Sequence, residues 1–257
     1  MLNGKTSLDL FNLLPIMSYM TFKQLYKQQD KILEKIFDNE KNIFPGARVI
    51  LVGGTALARC YLQHRASYDL DFFVNARFDP LMIQRRLSGA GVPLQMVEIV
   101  NDPMFAAQLH GVAGVDGEPL KVSIVEDIYA DMFPVKTVAG IRTETIEGLY
   151  HRKLRTITGS GEGTTSSTGR TVHAGARQTA RDLFDLYVLS NEIRPLMEFV
   201  RAINEHGAAV PEALLISGLR KIRWMELMDE FGMLQVAEKY AGIKAFDIKR
   251  YFDGVLR

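Results

Sequence analysis

Residues 48–74 read RVILVGGTALARCYLQHRASYDLDFFV, and most of the fold prediction rests on this segment. The unbroken run of apolar, mostly β-branched residues up to Val52 predicts a strand that is buried on both faces. A Gly-Gly-Thr turn ends this strand, and residues 56–62 have the composition of a helix. Residues 69–74 place apolar side chains around two aspartates and predict a second strand. The order of strand, glycine turn, helix and strand indicates a mixed α/β unit.

Helices and strands are also predicted on both sides of this unit. Apolar side chains recur at helical spacing over residues 21–38, where Thr21 is the expected N-cap. Asp79-Pro80 begins a second helix, because an aspartate cap followed by proline is typical of a helix start. Asp116-Gly117 is a hairpin signal between the last two of the remaining predicted strands. These strands lie at 93–100, 104–112 and 119–125.

The second half of the chain is predicted to be helical. Prolines and glycines separate helix candidates at 145–157, 178–191, 195–206, 211–219, 222–231 and 234–240. Residues 159–176 are rich in Gly, Ser and Thr and are predicted to form a flexible loop, either a linker or a gate over a substrate. We therefore predict an α+β fold with a mixed-sheet domain at 1–135 and a helical domain at 136–257.

Composition excludes several classes of protein. The 257 residues carry 31 Lys and Arg against 30 Asp and Glu, which excludes a globally basic, histone-like mode of nucleic-acid binding but leaves a local basic groove possible. One cysteine, Cys60, excludes an internal disulfide and a cysteine-rich zinc site, and it fits a reducing cytoplasm. No apolar run approaches the ~18 residues of a membrane helix, and no secretory signal is predicted.

The Gly53-Gly54-Thr55 turn is a candidate phosphate site. Paired glycines let the backbone come close to a phosphate, and the Thr55 hydroxyl can add a hydrogen-bond donor. The turn lacks the GxGxxG pattern and the lysine of a P-loop. A tight connection between strand and helix, with no ligand, is therefore the alternative.

Asp69 and Asp71 form a candidate metal site. Side chains two residues apart on a strand point to the same face, so these two carboxylates lie side by side and repel each other. A divalent cation relieves that repulsion, and hard oxygen ligands suit Mg²⁺, which keeps waters and substrate phosphates in its shell. A helix cap or an exposed edge strand is the alternative interpretation.

A local excess of positive charge lies between residues 152 and 181. Its six basic residues suit triphosphate or nucleic-acid phosphates, although solvated helix faces would have the same composition. Asp182 can orient a neighbouring cation or accept a proton, and Asp185 is placed at i+4 to pair with Arg181. The basic residues are Arg152, Lys153, Arg155, Arg170, Arg177 and Arg181.

The order of glycine turn, helix and Asp-x-Asp strand resembles that of DNA polymerase β-like nucleotidyltransferases. More closely, the sequence resembles the AbiEii/AbiGii toxin family. The resemblance covers about residues 45–190. It is carried by Gly53-Gly54-Thr55-Ala56-Leu57, by Arg65-x-Ser67-x-Asp69-Leu70-Asp71-Phe72-Phe73, by Lys153, and by Arg177-x-x-x-Arg181-Asp182-Leu183-Phe184-Asp185.

The resemblance implies a Mg²⁺-dependent transfer of a nucleotide from an NTP to an acceptor such as RNA or tRNA. It also implies a toxin of a toxin–antitoxin or abortive-infection system, with a cognate antitoxin protein as partner. Nucleotide contacts are expected from Gly53, Gly54, Thr55, Arg177 and Arg181. The catalytic residues are expected to be Asp69, Asp71, Lys153 and Asp182, with Asp69 and Asp71 binding the metal.

The sequence departs from the superfamily pattern at one position, and this departure leaves alternative functions possible. Related enzymes often supply a third carboxylate from a neighbouring strand, but Ser123 stands at the expected position, with Glu126 and Asp127 just beyond. Either one of these two completes the site or two carboxylates suffice. The alternatives are a small-molecule nucleotidyltransferase of the aminoglycoside type and an inactive nucleotide- or RNA-binding module. The scattered His64, His110 and His206 are predicted to be structural.

Overall fold

A computed structural model describes residues 21–115, 118–158, 179–208 and 210–256 of the chain. Two predicted features lie outside these residues, namely the hairpin turn at Asp116-Gly117 and the loop at 159–176. Arg170 and Arg177 also lie outside them.

The described strands form one mixed sheet with the order β3-β4-β5-β2-β1-β7-β6. Pairs β2–β5 and β1–β7 are parallel, and the other neighbours are antiparallel. This arrangement confirms the predicted α+β class. The strands are β1 Val49–Val52, β2 Leu70–Val74, β3 Leu94–Val100, β4 Gln108–Val115, β5 Glu118–Glu126, β6 Val135–Val138 and β7 Ile141–Glu144.

Helices precede, interrupt and follow the sheet. Thr21 and Asp79 cap the first and fourth helices as predicted, each accepting hydrogen bonds from backbone N–H groups of the first turn. The helices are α1 Phe22–Asp38, α2 Glu40–Ile43, α3 Gly53–Ala56, α4 Pro80–Gly89, α5 Ile146–Thr158, α6 Ala180–Glu192, α7 Leu196–Glu205, α8 Glu212–Arg220, α9 Trp224–Gly232 and α10 Ala245–Val255. Helix α3 continues as a π-helical turn at Leu57–Leu62, and a 3₁₀ turn spans Glu238–Tyr240.

The two faces of the sheet differ along β2. Leu70, Phe72 and Val74 are fully buried, and the Phe72 ring meets the Phe37 ring of α1 edge-on at 6.1 Å. Alternation along the strand sends Asp71 and Phe73 to the opposite face, where the Arg152 guanidinium of α5 lies 4.5 Å from the Phe73 ring. We call this second face the site face. By contrast, β1 is buried throughout, as its continuous apolar run predicts.

The sheet continues past residue 135, where the sequence analysis places the domain boundary. Strand β6 spans that boundary and β7 follows it, and β7 joins the sheet in parallel with β1 through Leu51 and Thr143. These strands have only four residues each and mix charged residues with apolar ones, so they lack the apolar run that identifies β1. The mainly helical second half therefore begins with α5.

A long-range bridge ties the chain between α3 and β2 to the end of the helical half. Arg65 and Val236 form an isolated antiparallel β-bridge. The Ala66 N–H donates to the carbonyl of Gln235, and the Ala237 N–H donates to the carbonyl of His64, both at 2.8 Å. Among the described helices, none is both long and apolar enough to cross a membrane.

Candidate active site

Both positions of the turn need glycine, because neighbouring side chains lie too close to leave room for a Cβ atom. Gly53 has φ +72°, and a Cβ there would lie 2.7 Å from Oδ2 of Asp71. A Cβ on Gly54 would overlap the Arg65 guanidinium and lie 3.0 Å from the Ser67 hydroxyl. The turn thus presses its backbone against one of the predicted metal ligands, Asp71.

Thr55 has a different role from the predicted phosphate contact. Its side chain is fully buried, and its hydroxyl donates a hydrogen bond to the backbone carbonyl of Asp69. The Thr55 hydroxyl also lies 2.9 Å from the Ser67 hydroxyl, and Gln29 of α1 donates to the Ser67 carbonyl at 2.7 Å. Thr55 therefore fixes the backbone that carries Asp69 and does not face a ligand.

Asp69 lies just before β2 and Asp71 lies within it, and the two carboxylates are close enough for their charges to interact. Partial burial and the charge of Asp69 raise the pKa of Asp71 to about 6, although Lys153, Lys121 and a hydrogen bond from Ser123 act in the opposite direction. The Asp69 side chain is 30% exposed, and its Oδ2 lies 3.4 Å from Nη1 of Arg181. A pair of carboxylates that repel each other in this way fits a bound divalent cation.

The pair receives no third carboxylate among the described residues. Ser123 stands opposite Asp71 in the parallel register, as predicted, whereas Glu126 stands opposite Val74, three residues further along β2. Asp127 instead accepts hydrogen bonds from Arg152 at 3.1 and 2.8 Å. No group of three or more His, Cys, Asp or Glu side chains in the described part of the chain is arranged to hold a metal. Further ligands would therefore come from water and substrate phosphates.

Lys153 is held by two carboxylates of α6. Its Nζ lies 2.6 Å from Oδ1 of Asp182 and 2.8 Å from Oδ2 of Asp185, and the lysine is buried. Burial opposes the charge, but the two aspartates outweigh it and raise the pKa of Lys153. Thr179, the N-cap of α6, donates to Oδ2 of Asp182 at 2.8 Å. Of the predicted alternatives for Asp182, the structure supports the orientation of Lys153.

Asp185 is the centre of a buried charge cluster that the sequence analysis missed. Arg65 donates to it twice, from Nε to Oδ1 at 2.6 Å and from Nη2 to Oδ2 at 2.8 Å, and His64 Nε2 lies 2.6 Å from Oδ1. Burial disfavours the charge of Asp185, yet Arg65, Lys153 and His64 hold its pKa well below the ordinary value. The predicted pairing of Arg181 with Asp185 is wrong, because Arg181 extends towards Asp69 instead.

His64 is structural, as predicted, but it forms part of this cluster. It is fully buried and stacks on Phe184 with ring centroids 5.8 Å apart. Burial lowers its pKa more than Asp185 raises it, so the imidazole is neutral near pH 7. Arg65, Lys153 and Asp185 all stand in the motifs that carry the family resemblance, and those motifs were the sequence signal for the cluster.

Most of the described basic residues between 152 and 181 are bound by the protein itself. Arg152 makes ion pairs with Glu144 at 2.6 Å and Asp127 at 2.8 Å, and Arg155 donates to the Tyr129 hydroxyl at 2.5 Å. Lys153 is held as described above. Arg181 is different, because it is 34% exposed and makes one long contact to Asp69. Three of the four described basic residues of this stretch are therefore not free to bind phosphate.

Comparison with solved structures finds similar chains. MenT4, a nucleotidyltransferase toxin from Mycobacterium tuberculosis, aligns with a TM-score of 0.53 and 17% identity over 97% of this chain and 89% of that chain. JHP933 from Helicobacter pylori aligns over 91% of both chains with 19% identity and a TM-score of 0.46. No curated protein matches the chain in sequence.

A glycine turn packed on an Asp-x-Asp strand indicates one class of enzyme, the nucleotidyltransferases, and the family-model match supports that activity. Within that class, residues 39–104 match the family model described as "Nucleotidyl transferase AbiEii toxin, Type IV TA system". The matched segment contains both the turn and the two aspartates, and the match confirms the resemblance identified from the sequence.

Proposed function

We propose that this nucleotidyltransferase is the toxin of a toxin–antitoxin system and transfers a nucleotide from an NTP to RNA, tRNA included, in a Mg²⁺-dependent reaction. The observation that carries the proposal is the contact between the turn and the carboxylate, because only glycine at position 53 leaves room for Oδ2 of Asp71. This contact brings a backbone that can approach phosphates beside a pair of metal-binding carboxylates.

Asp69 and Asp71 would hold the metal, which when bound neutralises phosphate charge and orients the α-phosphate. The acceptor hydroxyl loses its proton to solvent as its oxygen forms a bond to the α-phosphorus, and the bond to the pyrophosphate leaving group breaks. Arg181 is the described cation best placed to contact the triphosphate, since it is partly exposed beside Asp69. Gly53, Gly54 and the expected contact Arg177 complete the proposed nucleotide site.

In this proposal Lys153 contributes positive charge at the base of the site and needs Asp182 and Asp185 to hold it there. Both carboxylates bind it at hydrogen-bond distance, so its position is fixed before substrate arrives. Such preorganised charge is worth more in a site that excludes water than in solution. Lys153 and Asp182 therefore act together, with Asp182 as a positioning residue.

Three parts of this proposal rest on the family resemblance. They are RNA as the acceptor, an antitoxin protein as the partner, and a cytoplasmic location. The family description names a type IV toxin–antitoxin system, which supports both a toxin and an antitoxin. The single cysteine fits the reducing cytoplasm that such a system would occupy.

The decisive experiment incubates the purified protein with each α-labelled NTP, Mg²⁺ and total RNA, and follows label in RNA. We expect label from at least one NTP, and none when Asp71→Asn replaces the wild type or when EDTA is present. Lys136→Met on the far edge strand β6 is the matched control and should label RNA at the wild-type rate. Label that appears only in small molecules would overturn the RNA acceptor.

The toxin activity has a separate test. Expression of the wild type should slow bacterial growth, and Asp71→Asn at matched protein levels should relieve it. Equal growth of the two strains would contradict the toxin role and leave the enzyme activity intact.

A further inference from the structure

A row of polar side chains crosses the site face away from the glycine turn. Asp71 pairs in register with Ser123, Ser123 with His110, and His110 with Glu98. Residues directly opposite each other on neighbouring strands share a face, and strands lie about 4.8 Å apart. The row therefore extends the site roughly 14 Å beyond Asp71, across β5, β4 and β3.

The far end of this row borders a small cavity, which we call the acceptor pocket. Its volume is about 150 Å³, and it is lined by Met96, Glu98, His110, Gly111, Val112 and Lys121. Pockets that enclose a whole drug-sized ligand measure about 300–1,000 Å³, so this one takes only part of a nucleotide. Glu98 supplies acceptors, Lys121 supplies donors, and Met96 and Val112 add an apolar surface.

The backbone of β3 is distorted at this pocket. The register with β4 shifts between Gln95 and Glu98, and Met96 has φ +47°. Positive φ is unusual for a side chain as long as methionine, and bulges beside active sites re-aim side chains. Met96 is 56% exposed, so the distortion presents a large apolar side chain to solvent next to two charged ones. A thioether in that setting packs well against a flat aromatic ring.

The order of strands indicates the side of β2 from which the acceptor hydroxyl approaches. Strand β1, which leads into the glycine turn, lies on one side of β2, and β5 lies on the other. In-line displacement requires the attacking oxygen to approach opposite the leaving pyrophosphate. If the turn holds the triphosphate on the β1 side, the acceptor hydroxyl must come from the β5 side, where the polar row lies.

We propose that the acceptor pocket binds the base of the acceptor nucleoside of a single-stranded RNA. This inference rests on the proposed function and adds the site that selects the RNA. The base lies on Met96 with its polar edge towards Glu98 and Lys121, and its ribose lies over His110 and Ser123, with the attacking hydroxyl directed at Asp71. Unpaired bases are the parts of RNA that proteins read through stacking and edge hydrogen bonds.

The test measures transfer to short single-stranded RNAs that differ only in their terminal nucleosides. Glu98→Gln and Lys121→Met should each raise the KM for RNA about tenfold, while the KM for NTP stays within twofold of the wild type. Glu98→Gln should also change which terminal nucleoside is preferred, because an amide donates hydrogen bonds where a carboxylate only accepts. Lys136→Met, which removes an exposed lysine from β6, should leave both constants unchanged.

Three other results would each contradict the proposal in a different way. An active wild type with unchanged RNA constants and preference in both variants would reject the acceptor pocket and leave the proposed function standing. A rise in the KM for NTP instead would assign the cavity to the nucleotide donor. A wild type that transfers no nucleotide to any RNA would overturn the proposed function and this inference together.

Discussion

Arg65 binds both carboxylate oxygens of Asp185, although 120 residues separate them in the chain. Arg65 is only 2% exposed and Asp185 is completely buried. The same guanidinium leaves no room for a side chain at Gly54 and donates to the carbonyl of Ala66 at 2.8 Å. One arginine therefore connects the glycine turn, the segment before β2 and helix α6.

Gly54→Ala should destabilise the fold by about 1–3 kcal/mol, which is typical of overpacking. The new methyl group overlaps a guanidinium that Asp185 prevents from moving. Urea unfolding measures the effect. Gly89→Ala, at a helical glycine with open space around it, is the control and should be neutral or stabilising. Equal midpoints for the two variants would contradict the close contact of Gly54 with Arg65.

Asp71→Asn should stabilise the metal-free protein above pH 6 by roughly 1–3 kcal/mol. The folded protein raises the pKa of Asp71 to about 6, so its ionisation is costly in the folded state. Below the ordinary pKa of 3.8, the aspartate is protonated in both the folded and unfolded states. The difference in unfolding free energy between the variant and the wild type should therefore vanish there. The free energy of unfolding, measured from pH 3 to 8 in EDTA, tests this. A constant difference across that range would refute the raised pKa.

Mg²⁺ should bind more weakly as the pH falls through about 6, because the proton and the metal compete for Asp71. Calorimetric titration at pH 5 and pH 8 measures the affinity without any turnover. We expect proton release on binding near pH 6 and no binding by the double variant Asp69→Asn/Asp71→Asn. The same affinity at both pH values would exclude Asp71 as a ligand.

Lys153→Met should destabilise the protein by about 3–5 kcal/mol and abolish transfer, since breaking a buried ion pair leaves an uncompensated charge. Its two carboxylate partners would remain with Arg65 as the main cation nearby. The double variant Lys153→Met/Asp182→Asn should lose less than the sum of the single losses, because the two residues interact directly. Additive losses, read from denaturant midpoints, would give Asp182 a separate role.

The sequence predicts the parts of this site whose geometry is local. The buried strand β1 and the glycine turn follow from neighbouring residues, and so does the closeness of Asp69 and Asp71, which are two residues apart. Ser123 opposite Asp71 also agrees with prediction, because the alternation of the buried Leu120, Val122 and Ile124 with polar residues fixes the register of β5.

The charge cluster could not be predicted in the same way. The i, i+4 rule pairs Arg181 with Asp185, but Asp185 faces the protein interior and meets Arg65 from a distant part of the chain. The charge of Arg152 is a second example, since Glu144 and Asp127 neutralise it from positions outside the basic stretch. Long-range partners decide whether a charge is free to bind substrate, and local sequence does not contain them.

The bridge between Arg65 and Val236 has a consequence for protein synthesis. The backbone on either side of Arg65 finds its hydrogen-bond partners at Gln235 and Ala237, about 170 residues later. During translation at about 5–20 residues per second, the segment between α3 and β2 therefore lacks these hydrogen bonds for many seconds, until Gln235 and Ala237 have left the ribosome. A chain stalled or cleaved before that point would hold the glycine turn and both aspartates without the bridge that fixes Arg65. We expect such incomplete chains to be harmless to the cell that makes them.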